Sequence, residues 1–142
     1  MKYVLDTNVL LPRIDGRDPA KAVLSKDLFA NLVLSQAGAI PAQVLGEYAR
    51  NALRFGVSVH DVYSDLEDFS VALPVLALTA QVTLEAVRGV RQHKLAYFDA
   101  QIWACAKLNQ IPIVLSEDSN TGATLEGVTF LNPFSEAFQL EI

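Results

Sequence analysis

Acidic residues follow the two runs of the chain that most resemble buried strands. Asp6 comes directly after the run from Lys2 to Leu5. Asp118 comes shortly after the run from Ile111 to Leu115. In open α/β sheets the functional crevice lies beyond the carboxyl ends of parallel strands, so we expect both carboxylates at one sheet edge. Asp99 begins the apolar stretch that precedes the second run, and a helix starting there would bring it to the same edge.

A fourth acid, Glu47, lies in a stretch whose apolar spacing predicts a helix over residues 43–55. One side of that helix is apolar and consists of Val44, Leu45, Tyr48, Ala49 and Ala52. Glu47, Asn51 and Arg54 lie together on the opposite side, about one turn apart. The helix can therefore point Glu47 into a cleft.

Gathered carboxylates repel one another, and some would stay protonated unless a cation shared the site. Hard oxygen ligands in that number suit Mg²⁺ or Mn²⁺ rather than zinc. Each acid also has a simpler interpretation. Asp6 could cap a helix starting near Val9, Asp99 could cap its own helix, Asp118 could belong to a turn, and Glu47 could be solvated. The position of Asp6 and Asp118 after apolar strands favours the metal site.

Alternating helices and strands must position these acids. Helical spacing of apolar residues predicts helices over residues 19–35, 43–55, 60–69, 79–92 and 99–110, with Thr79 as an N-cap and Gly38 ending the first. Strand or extended signals cover residues 2–5, 39–41, 71–73, 111–115 and 128–131. This alternation predicts an α/β fold with a parallel sheet and helices on both faces.

Composition limits the possible functions. The 142 residues, 51% of them hydrophobic, suffice for one domain with a sizeable core, and we expect a single domain over 1–142. A net charge of −5 argues against a protein that coats nucleic acid by bulk electrostatics. The first apolar run stops at Asp6, too early for a signal peptide, and the longest, around Val71 to Ala80, is too short to span a membrane. The single cysteine, Cys105, excludes an internal disulfide, so we expect a cytoplasmic protein.

Several other chemistries lack their residues. The two histidines, His60 and His93, belong to no nucleophile motif, and there is no glycine-rich phosphate loop. A haloacid-dehalogenase-type phosphatase needs a second Asp where this chain has Asn8. A receiver domain needs a Lys after its last strand, where this chain has Ser116. Metal-assisted hydrolysis by carboxylates remains.

The acidic segments resemble those of the PIN-domain family, in order and over essentially the whole chain. The opening Lys2–Leu11, with Asp6-Thr7-Asn8, resembles the first PIN strand and its Asp-x-Asn ending. Val44-Leu45-Gly46-Glu47-Tyr48 and the stretch Tyr97–Ala104 are similar to those that carry the second and third acids. Leu115–Asp118, followed by Leu125–Val128 and Asn132-Pro133-Phe134, resembles the closing segment of VapC-type toxins.

The resemblance implies a PIN-like three-layer fold and a nuclease that hydrolyses RNA with Mg²⁺ or Mn²⁺. Asp6, Asp99 and Asp118 would be direct or water-mediated metal ligands, and Glu47 would complete the site or orient the attacking water. Hydrogen-bonding residues that could aim these carboxylates are Thr7, Asn8 and Ser116. Candidate RNA contacts are Arg50, Arg54, Arg88, Arg91 and Lys94, although exposed basic residues also keep a surface soluble.

Resemblance to VapC-type toxins further implies an antitoxin that occludes the acidic groove, and a homodimer. Apolar residues in the predicted helices, among them Phe55 and Phe69, suit either a self-interface or a large core. Two alternatives stay open: a PIN-like module that binds without catalysis, and an RNA-processing nuclease that has no antitoxin.

Overall fold

The computed structural model describes residues 1–117 and 120–141. Its strands are β1 (Tyr3–Leu5), β2 (Gly38–Pro41), β3 (Val75–Leu76), β4 (Ile113–Leu115), β5 (Thr124–Leu125) and β6 (Val128–Leu131). Its α-helices are α1 (Thr7–Leu10), α2 (Pro19–Ser35), α3 (Ala42–Arg54), α4 (Val59–Ala72), α5 (Ala80–His93) and α6 (Tyr97–Leu108), with a 3₁₀ turn at Leu11–Arg13. Within the described residues, no helix has the length and apolarity needed to cross a membrane.

The strands form one sheet in the order β3-β2-β1-β4-β6-β5. Every neighbouring pair is parallel except β5 with β6, which is antiparallel. Val4, Leu5, Val114 and Leu115 in the central strands are all 0% exposed. Because successive strand residues point to opposite faces, helices must cover both sides of the sheet. The predicted α/β fold with a mostly parallel, helix-flanked sheet is confirmed.

Local signals set most element boundaries. Helix α2 covers the predicted range, with Asp18 accepting a hydrogen bond from the Lys21 backbone N–H (3.1 Å) at its start. It ends at Gln36, whose φ of 56° is left-handed, and not through Gly38 as expected. Gly38 instead opens β2, where an added Cβ would lie 3.1 Å from Leu32 Cβ. The glycine thus permits close packing of the strand on α2. The predicted Thr79 cap is confirmed.

The extended segment predicted for Val71-Ala72-Leu73 is wrong at its first two residues. Helix α4 continues to Ala72, and only Leu73 is extended, with φ −131° and ψ 149°. Buried Phe69 and Leu73 extend the helical spacing beyond the predicted end, which outweighs the β preference of Val71. Pro74 then disfavours a helical conformation at Leu73, so the chain leaves the helix there.

Helices α5 and α6 pack closely around the fully buried Trp103. A Cβ added at Gly89 would lie 2.7 Å from Trp103 Cζ3. The Trp103 indole N–H donates to the Leu125 carbonyl (3.0 Å), which fixes the β5–β6 turn against α6. Arg88 and Lys107 lie over the ring, at 5.7 and 5.6 Å from its centroid. We call Trp103, with the charged residues around it, the Trp103 cluster; these are Glu85, Arg88, His93, Lys107 and Glu126.

Candidate active site

Asp6 lies where β1 gives way to α1. Its Oδ1 accepts from the Thr7 backbone N–H (2.6 Å), so Asp6 is the N-cap of α1. The simpler interpretation of Asp6 as a cap is therefore correct, with a helix that starts at Thr7 and not near Val9. Its Oδ2 accepts a hydrogen bond from the hydroxyl of Ser116 (2.7 Å). Ser116 is the residue that follows the neighbouring strand β4. The carboxyl ends of the two predicted strands therefore meet at the Asp6 carboxylate, which is 7% exposed.

Asn8 completes the connection between the two strand ends. Its side-chain amide donates to the Ser116 hydroxyl (3.2 Å), and its carbonyl accepts from the Glu117 backbone N–H (3.0 Å). Thr7 and Ser116 thus contact Asp6 directly, and Asn8 contacts Ser116, in positions that suit the orienting role expected of them. That role in metal binding stays a prediction.

Glu47 reaches the same place from α3. Its Oε2 accepts from the Thr7 hydroxyl (3.2 Å), and its Oε1 accepts from the Gln43 side-chain amide (2.5 Å). Thr7 therefore hydrogen-bonds to both acids, to Asp6 through its backbone and to Glu47 through its side chain. Helix α3 presents its apolar side to the core as predicted, with Val44 and Ala52 fully buried. We call Asp6, Thr7, Glu47 and Ser116 the acidic edge.

Asp99 lies in the first turn of α6, which begins two residues earlier than predicted. Ala96 occupies the cap position, so Asp99 is not the N-cap of its helix. The neighbouring Phe98 carbonyl accepts from the Gln43 amide (3.2 Å), the same amide that contacts Glu47. This hydrogen bond places the first turn of α6 beside the acidic edge.

Asp118 lies outside the described residues. Across residues 1–117 and 120–141, no three Asp, Glu, His or Cys side chains form a group that could hold a metal ion. The four-acid cluster therefore stays a prediction. Asp6 and Glu47 are connected through their shared partner Thr7. Their carboxylate oxygens, with the hydroxyls around them, are the hard donors that suit Mg²⁺ or Mn²⁺.

Sequence reasoning missed the partners of Glu47. Gln43 connects Glu47 to α6, where its carbonyl accepts from the Gln101 amide (2.7 Å). Gln101 is 5% exposed, in a helix otherwise buried from Ala100 to Ala106. Its polarity in an apolar helix was the available signal, because a buried amide needs hydrogen-bond partners.

A cavity of about 350 Å³ opens beside Asn8 and also escaped prediction. It is lined by Asn8, Leu11, Pro12, Asp15, Arg17, Asp18, Lys21 and Glu117. Lys21 and Glu117 form an ion pair (2.5 Å) that ties α2 to the segment after β4. The pair places opposite charges next to the strand end that carries Ser116.

The predicted RNA contacts fall into two groups. Arg50 and Arg54 are exposed on α3, beyond Glu47, and Arg91 and Lys94 are exposed at the end of α5. Arg88 differs, because its guanidinium pairs with Glu85 and with Glu126 in the Trp103 cluster. These two carboxylates raise the pKa of Arg88 and anchor its side chain. RNA contact by any of the five stays a prediction.

Cys105 is buried, and burial raises the pKa of its thiol to about 11. A thiol in that state is neutral near pH 7, so Cys105 is a packing residue. Phe69 is also a core residue, with its ring edge-on to Tyr48 at 5.0 Å between centroids. Phe55 remains about half exposed.

The sequence matches the family model of the PIN domain over residues 3–124. The chain therefore belongs to the PIN-domain family, as its acidic segments predicted. No curated protein matches it in sequence.

Solved structures of toxins and toxin–antitoxin complexes share this fold. The VapC20 toxin of Mycobacterium tuberculosis, described as cleaving the sarcin-ricin loop, has a TM-score of 0.69 and 20% identity, over 84% of this chain and 92% of that chain. A toxin–antitoxin complex from Klebsiella pneumoniae has a TM-score of 0.69 and 19% identity, over 94% and 98%. VapBC2 from Rickettsia felis, bound to promoter DNA, has a TM-score of 0.67 and 18% identity, over 93% and 98%. At these identities the likeness is one of fold.

Proposed function

We propose that this chain is an endoribonuclease that depends on Mg²⁺ or Mn²⁺, with a catalytic site made of Asp6, Glu47, Asp99 and Asp118. One observation carries the proposal: in a PIN-domain chain, Asp6 and Glu47 share Thr7 as a hydrogen-bond partner at the carboxyl ends of β1 and β4. Asp6 follows β1, and Gln43 hydrogen-bonds to Glu47 on α3 and to the Phe98 carbonyl next to Asp99 on α6. These contacts support the proposed convergence of the acids on one crevice at the carboxyl ends of the strands.

The residues of the acidic edge fit a hard divalent cation, since their donors are oxygen atoms. Asp6, Asp99 and Asp118 would hold it directly or through water. Bound there, it would supply an activated water and charge stabilisation for the leaving oxygen of the phosphodiester.

The chain's own residues do the positioning. The Thr7 backbone N–H and the Ser116 hydroxyl orient the two oxygens of the Asp6 carboxylate. The Thr7 hydroxyl and the Gln43 amide orient those of Glu47. Neutral donors can hold a carboxylate in place without cancelling its charge, so Glu47 can align an attacking water or attract a cation.

The test is cleavage of a labelled structured RNA by the purified chain with Mg²⁺ or Mn²⁺, with and without chelator. We expect cleavage that the chelator abolishes and that Asp6→Asn and Asp99→Asn both lose while remaining folded. Full activity in either variant would remove that residue from the site. RNA binding without cleavage under all these conditions would favour the non-catalytic binding module instead.

We further propose that the chain is the toxin of a toxin–antitoxin pair that acts in the cytoplasm. Support comes from shared fold with toxin–antitoxin complexes from Klebsiella pneumoniae and Rickettsia felis. A small neighbouring open reading frame encoding a DNA-binding protein should then yield a product that co-purifies with this chain and inhibits it. An active nuclease without such a neighbour would be the RNA-processing alternative.

The expected homodimer and the single PIN domain over 1–142 also stay proposals. Light scattering on a sizing column should give twice the 15.5 kDa chain mass for the dimer. Limited proteolysis should leave residues 1–142 as one resistant unit. A monomeric mass or an early internal cut would overturn the respective proposal.

A further inference from the structure

A chain of hydrogen bonds runs from the start of α6 to Glu47. The Tyr97 hydroxyl donates to the Gln101 carbonyl (2.8 Å), and the Gln101 amide donates to the Gln43 carbonyl (2.7 Å). The Gln43 amide then donates to Glu47 Oε1 (2.5 Å). The four side chains connect two helices that are distant in sequence, and the last of them belongs to the acidic edge.

The direction of this chain is determined by its acceptors. An ionised carboxylate and a backbone carbonyl can only accept, so Gln43 must turn its amide N–H groups toward Glu47 and the Phe98 carbonyl. Its own carbonyl then faces Gln101, which must present its amide. The Gln101 carbonyl in turn faces Tyr97, whose hydroxyl must donate. Reversing any one amide would place two acceptors against each other.

Burial makes this arrangement rigid. Gln101 is 5% exposed, and a buried amide that loses its partners is strongly disfavoured. Its orientation therefore cannot change without a loss of hydrogen bonds, and it holds Gln43 in turn. Both carboxylate oxygens of Glu47 accept hydrogen bonds, Oε1 from Gln43 and Oε2 from Thr7. Thr7 is also the residue that contacts Asp6.

We propose that Gln43 and Gln101 are positioning residues, which with Tyr97 hold the Glu47 carboxylate in one orientation for RNA cleavage. We call the hydrogen-bonded side chains Tyr97, Gln101, Gln43 and Glu47 the relay. The inference rests on the proposed function, since it assigns the relay a part in that reaction. None of the three touches substrate in this proposal; each acts through Glu47. The expected consequence is a loss in kcat with little change in KM.

The first experiment replaces the amides with an apolar side chain of similar length. Gln43→Met should lower kcat by about 10- to 100-fold, the range typical for groups that orient a catalytic ligand. Gln101→Met should lower kcat by a smaller factor, and Tyr97→Phe by a smaller factor still, because each residue is one hydrogen bond further from Glu47. KM should stay close to wild type. The melting temperature should fall in Gln43→Met, because the buried Gln101 amide loses its acceptor, so kcat is compared per folded molecule. Gln81→Met, on the exposed side of α5, is the matched control.

The second experiment tests the direction of the relay. In Gln101→Glu the new carboxylate can accept hydrogen bonds but not donate them, so it repels the Gln43 side-chain carbonyl. This favours a reversed Gln43 amide, whose carbonyl oxygen would then face the Glu47 carboxylate. Its kcat should fall below that of Gln101→Met, whereas Gln81→Glu should behave like wild type. A merely structural role for Gln101 would give both variants the same kcat per folded molecule, and that result would overturn the directional relay.

A third measurement does not depend on activity. In ¹⁵N NMR spectra, the side-chain amide signal of Gln43 should move in Gln101→Met and in Glu47→Ala, but not in Gln81→Met. If the chemical shift of the Gln43 side-chain amide is unchanged in both variants, the relay is refuted, regardless of the measured activity. If the Gln43 signal moves in both variants but the wild-type chain cleaves no RNA, the proposed function and the relay's part in it are both overturned. Wild-type kcat in Gln43→Met, with an active wild type, would overturn the inference alone.

Discussion

The acidic edge and the Trp103 cluster both contain two carboxylates, but they hold them differently. In the acidic edge, the hydrogen bonds that Asp6 and Glu47 accept include those from a backbone N–H, two hydroxyls and an amide. In the Trp103 cluster, Glu85 and Glu126 pair with cations. Arg88 contacts both, and Lys107 lies 3.3 Å from Glu85 and 3.5 Å from Glu126.

The difference shows what each arrangement can do. Hydrogen bonds from Arg88 and His93 lower the pKa of Glu126 to about 2, so this carboxylate stays ionised and matched by positive charge. Such a group pins α5 and α6 to the β5–β6 turn. Neutral donors orient a carboxylate and leave its charge to attract a cation or an attacking water. The comparison therefore supports the proposal of chemistry at the acidic edge and predicts a stabilising role for the Trp103 cluster.

The largest expected effect is on activity, at the acidic edge. Asp6→Asn should reduce RNA cleavage by at least about 100-fold, the scale for losing a group that stabilises the reaction electrostatically. The fold should persist, because Asn caps helices as well as Asp and keeps an oxygen for the Thr7 N–H. Cleavage rate and melting temperature, measured on the same sample, check the two halves of this prediction. A variant that unfolds would instead make Asp6 a structural residue.

The next effect is on stability, in the Trp103 cluster. Gly89→Ala places a methyl group against the Trp103 ring and should cost about 1–3 kcal/mol of unfolding free energy. Cleavage per folded molecule should not change. Gly46→Ala is the matched control, since a Cβ there meets nothing within 4 Å and removing a helical glycine should stabilise by about 0.5–1 kcal/mol. Urea unfolding should give opposite signs for the two, and equal signs would contradict the packing argument.

Exposed basic residues should affect RNA affinity alone. Arg54→Ala and Arg91→Ala should each raise KM without lowering kcat, and each should reduce the salt slope of RNA binding by about 1. Lys26→Ala, exposed on α2, serves as the control. Titrations at several salt concentrations check this, and wild-type kinetics in both variants would exclude the assigned contacts.

The smallest effect concerns pH. The pKa of Glu126 is lowered from 4.5 to about 2 in the folded protein. A carboxyl group of this kind contributes stability that is present above its unfolded pKa and is lost as the pH falls through the folded one. Stability should therefore decrease between about pH 4.5 and about pH 2. At pH 7, Glu126→Gln should lower the free energy of unfolding by about 1 kcal/mol or less, because the pair is partly exposed. On acidification the variant should lose less of its unfolding free energy than the wild type does. Urea midpoints at pH 7 and pH 3 measure both.

Much of the fold follows from local patterns in the sequence. The range of α2, the Thr79 cap and the strand before Asp6 were all predictable, because helical and strand periodicity is set within a few residues. The placement of Asp6 at the carboxyl edge of the sheet also follows, since it comes directly after a parallel strand. Helical spacing at Glu47 and the predicted helix start at Asp99, together with the family resemblance, predicted both acids for the same site.

Other features depend on which elements become neighbours. Strand order brings Ser116 onto Asp6, and helix packing brings Gln101 onto Gln43 and Arg88 onto Glu126, which is 38 residues away. A glutamine or an arginine alone in a sequence suits solvent as well as a buried partner. Only the packed structure decides between them, because the energy of such a side chain depends on groups that the chain delivers from elsewhere.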